Sequence, residues 1–282
     1  MRVNVRCLLM GGATLTPEQE KAVFGPIRLR NGTYKMTTHH RLDDLNALVI
    51  GEWQRLGQKP HNIMDVGASS GIASLEWVDA LTRAGIDADI LATDLCMHAS
   101  LVRLLPMYDV LLDRDGRVLQ HIVGDRPVRW WYPNGPRDFL TVRGYVVTAL
   151  NMVAWALLLS PNARRRGKDV LLLSPQARNH AHLRFIEDDV MAPNPDHLRG
   201  QFDAIRVSNL LLLTYFDAAH LRRGLNNLKD RLVGAGSFLI VNRTHLDGTN
   251  HGTMFQLNER GKFEIVARMR TGSEIEDMVL AI

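Results

Sequence analysis

Cysteine is nearly absent from the 282 residues: Cys7 and Cys96 alone, with no Cys-x-x-Cys spacing, exclude a disulfide framework and a cysteine-rich zinc site and fit a reducing compartment. Long apolar runs are missing as well. The longest, from Tyr145 to Leu159, is interrupted by Thr148 and Asn151 and falls short of the roughly 20 residues that span a bilayer, so a buried or interfacial helix is expected there. The N-terminal MRVNVRCLLM has too short an apolar core for a signal peptide, and the expected location is cytoplasmic. Charge of one sign is scarce too: 34 Lys and Arg against 30 Asp and Glu leave +4, which carries no strong nucleic-acid signal and makes only local charge matter. There is no internal repeat. With 46% hydrophobic and 23% charged residues the composition is globular, which excludes disorder, collagen and coiled coil.

What is present is an alternation of apolar runs and helical patterns. Residues 41–57 set Leu42, Leu45, Val49, Trp53 and Leu56 at helical spacing, which predicts an amphipathic helix. NIMDVGASSG reads as a buried strand ending in a Gly/Ser turn, and IASLEWVDALTRAG as the helix after it. DADILATDL and HLRFIEDDV are two more strands, and QFDAIRVSN and GSFLIVNRTH flank a helix carrying Leu221, Leu225, Leu228 and Leu232. Strands alternating with helices predict a Rossmann-like, mostly parallel α/β sheet. The stretch from Gly252 onward predicts an antiparallel C-terminal edge. Residues 97–180 are too long for a plain connection and mark an insertion after the second strand, with a hairpin signal at Asp115-Gly116, aromatics at 130–132 and basic residues at 164–168. The expected organisation is an N-terminal helical cap over 1–58 and a sheet domain over 59–282, interrupted by 97–180.

The turn Gly67-Ala68-Ser69-Ser70-Gly71, between a strand and a helix N-terminus, has the makings of a nucleotide-like site. GASSGIA also looks like the cofactor loop of short-chain dehydrogenases. Asp65 separates the two readings, because an acid there repels a pyrophosphate but suits the cationic amino acid portion of S-adenosylmethionine. The dehydrogenase reading further requires a Tyr-x-x-x-Lys pair, and none of the five tyrosines has a lysine four residues on.

These motifs, in this order, resemble the class I S-adenosylmethionine-dependent methyltransferases over most of residues 60–282 apart from the insertion. DVGASSG matches the first motif, with Ser69 where a middle Gly is frequent, and the resemblance implies that Asp65, Gly67, Ala68, Ser69 and Gly71 surround the methionine part of the cofactor. Asp94, 23 residues after Gly71 and followed by Leu95, matches the acid that binds the ribose hydroxyls. Asp189 matches the residue that accepts the adenine amino group, with Asp188 beside the ring, and Asn209 follows the fourth strand where a residue faces cofactor and substrate.

Methyl transfer asks the protein to align an acceptor and, for a hydroxyl, to remove its proton. His39 and His40, in a segment that often closes over the cofactor in the resembling family, are the first candidate bases, and His245 after the fifth strand is the next. No His-x-x-x-His pair indicates a metal, and the motif expected for amino methylation of bases is replaced by Ser208-Asn209-Leu210-Leu211. The expected activity is therefore methyl transfer to a small-molecule, glycan or lipid-type acceptor at oxygen. A catalytically silent adenosyl-binding or membrane-partner protein is the alternative, and a dehydrogenase-like oxidoreductase comes third. The apolar helix and the basic residues over 145–168 suit peripheral membrane contact; covering the sheet or forming a homodimer interface is the plainer use of such a helix.

Overall fold

The computed structural model describes residues 5–10, 15–29, 34–35, 38–124, 126–128, 142–160 and 167–282. The Trp130-Trp131-Tyr132 cluster and Arg164 to Arg166 lie outside them. In chain order the elements are α1 (Val5–Met10), α2 (Pro17–Phe24), α3 (Asp43–Arg55), β1 (Asn62–Val66), α4 (Ile72–Arg83), β2 (Asp89–Asp94), β3 (His98–Leu105), β4 (Tyr108–Leu112), β5 (Val118–Val123) and β6 (Arg126–Val128). There follow α5 (Val142–Leu158), β7 (Lys168–Leu171), α6 (Pro175–Arg178), β8 (Leu183–Glu187), β9 (Ala204–Ser208), α7 (Ala218–Arg231), β10 (Phe238–Thr244), β11 (Asn250–Leu257), β12 (Phe263–Met269) and α8 (Glu276–Leu280).

The chain divides into two compact units, Met1–Thr38 with Cys96–Pro175 and His39–Leu95 with Gln176–Ile282. The second holds a seven-stranded sheet in the order β12-β11-β10-β9-β1-β2-β8. Five neighbouring strands, β10 to β8, run parallel, and β11 and β12 add antiparallel to the edge. This is the Rossmann-like sheet with an antiparallel edge that the alternation of elements predicts. The final residues, expected to be extended, close with α8 instead.

Side-chain alternation along the central strands divides the core into two faces. Ile63, Ala204, Phe238 and Ile240 pack with Trp53 of α3 and Trp77 of α4. Met64, Ile205, Val207, Leu239 and Val241 pack with Leu221, Leu225 and Leu228 of α7. Helices on both faces leave the carboxyl ends of the parallel strands to be shaped by loops. The direction of travel reverses at the β1–β9 pair, with β2 and β8 to one side and β10 to the other, and crevices form at such points.

The first unit is a five-stranded sheet in the order β6-β5-β4-β3-β7, antiparallel throughout. Gly116, at φ +78°, turns the β4–β5 hairpin at the Asp115-Gly116 signal. One face packs on Val5, Leu9, Val23, Phe24 and Ile27 from the N-terminal segment, with Cys96 against the same cluster. The other face packs on Ala154 and Leu158 of α5. The division falls at 38/39, not after residue 58: Val5 to Leu29 supply side chains to the core of the inserted sheet, and α3 belongs to the parallel one.

Candidate functional site

The glycine turn folds over the end of β2. Gly67 and Ala68 both donate their N–H to the Thr93 carbonyl, at 2.8 and 2.9 Å, and the N–H of Ser69 donates to the Asp94 carboxylate at 2.7 Å. Gly71 N–H closes the turn on the Ala68 carbonyl at 2.8 Å. Gly67, Ser69 and Gly71 sit in left-handed conformations, at φ +85°, +58° and +85°. For Ser69 that conformation costs about 1 kcal/mol or more, which the charge-assisted bond to Asp94 offsets. At Gly71 a Cβ would stand 2.7 Å from the Phe185 ring of β8, so the packing of a neighbouring strand excludes a side chain. At Gly67 the nearest atoms would be 3.7 Å away, so the backbone angle alone favours glycine.

Asp65 takes a different role from the one its motif implies. It is buried, and Arg206 of β9, its register partner, grips both its carboxylate oxygens at 2.9 and 2.7 Å while Ser74 Oγ donates to it at 2.6 Å. Arg206 also donates to Asn46 Oδ1 at 2.8 Å and to the Ala73 carbonyl at 3.1 Å, and its guanidinium lies 3.9 Å from the Trp77 ring centroid. The acid thus neutralises a buried arginine and ties β1 and β9 to α3 and α4, in place of facing a ligand. Asp188 is likewise engaged, by Arg231 of α7 at 2.7 and 3.2 Å, with Asn194 Oδ1 accepting from the same guanidinium. Asn209, at φ +57°, spends its amide on Thr244: Oδ1 accepts from the backbone N–H at 2.6 Å and Nδ2 donates to the hydroxyl at 3.1 Å. Asp189 caps its own turn, accepting from Met191 N–H at 3.1 Å. Leu95, half-buried, follows Asp94 directly.

The histidines gather through their neighbours. His39 Nδ1 lies 3.3 Å from Glu76 Oε1 on α4, and the backbone N–H of His40 donates to the same oxygen at 2.9 Å. His40, at φ +60°, turns its ring to Asp43 at 3.0 Å. Asn250 donates to the Arg41 carbonyl at 2.7 Å, which brings the turn carrying His245 beside this segment. The His245 ring is exposed and stands 4.3 Å from that of His251. Of the three, only His39 has a partly buried carboxylate behind its ring. Arg41 itself is in charge range of Arg206, Asp65 and Glu76; burial, then Arg206, holds its guanidinium below the usual arginine range, and its Nε has no hydrogen-bond partner among the described residues. Among the described residues no group of three or more His, Cys, Asp or Glu can hold a metal ion; His180 and His182 each turn to a separate aspartate.

Sequence reading missed Arg206, Arg231, Arg41 and Glu76. A signal existed for Arg206, since a charged residue inside the apolar run Ala204–Ser208 requires a buried partner.

No protein-family model matches the chain, and no curated protein matches it in sequence. Among solved structures, an N-methyltransferase, NodS from Bradyrhizobium japonicum, bound to S-adenosylhomocysteine, is 10% identical with a TM-score of 0.33, over 72% of this chain and 62% of that one. The DszA carbon methyltransferase is 14% identical at TM-score 0.35, over 75% and 38%. A zinc-dependent alcohol dehydrogenase from Rhodobacter sphaeroides is 14% identical at TM-score 0.28, over 65% and 41%. The chain spans less than two thirds of the length of these structures.

Proposed function

We propose that the chain is an S-adenosylmethionine-dependent methyltransferase of the class I type, acting on a small-molecule, glycan or lipid-type acceptor at oxygen. One observation carries the donor half: the successive N–H groups of Gly67, Ala68 and Ser69 all turn to the end of β2, two to the Thr93 carbonyl and one to Asp94. A pyrophosphate-binding turn needs such groups aimed outward at the ligand. A turn that consumes them internally suits a ligand without phosphate, and it fixes the ribose-binding acid against the loop. The residues present fit an adenosyl sulfonium in that arrangement, with Asp94 for the ribose hydroxyls and Asp189 for the adenine amino group. Arg41, in charge range of Asp65 and Glu76 and with no hydrogen-bond partner for its Nε among the described residues, is the cation for the methionine carboxylate.

When bound, the cofactor supplies a methyl group on a positively charged sulfur. The work left to the chain is to orient the acceptor and receive its proton. His39 does the second: with Nδ1 held by Glu76, the ring presents Nε2 to the acceptor hydroxyl, and the carboxylate stabilises the imidazolium that results. As the acceptor oxygen takes the methyl group, its hydroxyl proton would pass to Nε2 of His39, leaving Glu76 beside the charged ring.

Calorimetric titration with S-adenosylmethionine, S-adenosylhomocysteine and NADPH tests the donor. Binding of the two adenosyl ligands alone is expected, and binding of NADPH alone overturns the reading. Turnover to S-adenosylhomocysteine with candidate acceptors then separates an enzyme from a silent binding protein, and His39→Gln should lower kcat while leaving cofactor affinity in place.

A further inference from the structure

The 17 residues of α5 carry two faces with opposite fates. Val147, Ala154 and Leu158 are buried, and the helix is fixed in rotation: Tyr108 Oη donates to the Leu150 carbonyl at 3.0 Å, and His121 Nε2 lies 3.2 Å from Asn151 Oδ1. The opposite face presents Tyr145 (64% exposed), Met152 (62%), Trp155 (68%) and Leu159 (64%). No charged residue occurs from Tyr145 through Leu159. The apolar surface continues onto the sheet, where Tyr108, Val123 and Arg126 stand in one cross-strand row on the helix side. Leu105 and Val123 are exposed at either side of Tyr108, with Met107 exposed at the turn between β3 and β4.

Charge is partitioned as well. The near-neutral total of the chain conceals two opposed units: the one carrying α5 has 17 Lys and Arg against 8 Asp and Glu, a net +9, and the parallel-sheet unit has 17 against 22, a net −5. An apolar helix face on a strongly cationic unit, with amphipathic Tyr and Trp toward its two ends, matches the requirements of an anionic lipid surface. We infer that this unit docks on an anionic membrane, with α5 lying in the interface plane. No helix among the described residues is long and apolar enough to cross a membrane, so the helix lies on it. A nucleic acid would have no use for Met152, Val153 and Leu159, and a second copy would set +9 against +9. The cationic residues supply the attraction to anionic lipid, and the apolar face supplies the insertion. None of this draws on the cofactor site, so the inference and the proposed activity stand or fall separately.

The test is flotation of the full chain with phosphatidylcholine vesicles, with and without phosphatidylglycerol, at low and high salt. Binding that requires phosphatidylglycerol and weakens with salt is expected. Met152→Glu with Trp155→Glu, both at exposed positions and checked for folding by circular dichroism, should weaken it by about tenfold or more. Absence of lipid-dependent binding, or binding that the double variant leaves unchanged, overturns the inference. So does a dimer in light scattering that the double variant converts to monomer, since a second copy then covers the face.

Discussion

Arg206 in β9 holds both carboxylate oxygens of Asp65 in β1, register partner to register partner, with neither side chain open to solvent. Their mutual neutralisation lets an arginine occupy the centre of a parallel sheet, and removing one partner strands the other charge. Asp65→Asn should therefore destabilise the protein by about 3–5 kcal/mol, and an apolar replacement of both residues should recover much of that. Urea unfolding of the single and double variants checks it; a loss below about 1 kcal/mol in the single variant would show that Arg206 finds other partners.

Gly71 is constrained twice, by φ +85° and by the Phe185 ring where its Cβ would be. Gly71→Ala should cost about 2–4 kcal/mol, from the strained backbone and the clash together. Pairing it with Phe185→Leu should restore the part due to the clash, and an unchanged cost in the pair would assign the whole penalty to the backbone.

The parallel sheet was legible because its strands are apolar runs punctuated by Gly71, Gly85 and the strand-end acids, and each signal is local. The same holds for the hairpin at Asp115-Gly116. The packing of side chains between Val5 and Leu29 on the inserted sheet was not legible, since it joins segments nearly a hundred residues apart through side chains such as Phe24 and Leu119 that no periodicity pairs. Motif spacing set Asp94 at the end of the strand beside the glycine turn, but not the partner each acid would choose. Asp65 and Asp188 read as ligand-facing because their arginines, Arg206 and Arg231, come from distant elements on opposite faces of the sheet.

Asp94 carries both the loop and the proposed ribose contact. Asp94→Ala should weaken S-adenosylmethionine binding by about 1–3 kcal/mol, roughly 5- to 150-fold. Asp94→Asn retains an oxygen for the Ser69 N–H and so should preserve the loop better while losing the charge. Titration calorimetry of both variants decides it: unchanged affinity in both rejects the assignment of Asp94.

Arg41 distinguishes the methionine end of the ligand from the adenosyl end. If its guanidinium meets the carboxylate, Arg41→Met should weaken S-adenosylhomocysteine by about 1.5–3 kcal/mol and leave methylthioadenosine, which has no carboxylate, nearly unaffected. Equal losses for both ligands would make Arg41 a structural cation instead.

His121 gives the inserted unit a pH dependence with a definite sign. The ring is fully buried, set between the Tyr108 hydroxyl at 2.7 Å and Asn151, and burial pushes its pKa down from 6.5 to about 4 against a smaller opposing contribution from the Asn151 hydrogen bond. Above pH 6.5 the imidazole is neutral in both the folded and the unfolded chain, so it adds no pH dependence there. Between 6.5 and 4 the unfolded chain binds the proton and the folded one resists it, so stability falls as pH falls across that window, by on the order of 3 kcal/mol in total. The same burial raises the pKa of Tyr108, so its hydroxyl stays protonated across this window. Urea midpoints measured from pH 7.5 to 4.5 should decline in the native chain and decline less in His121→Gln, which keeps a polar partner for Tyr108 and Asn151 but has nothing to titrate. Parallel slopes in the two proteins would assign the acid sensitivity to other groups.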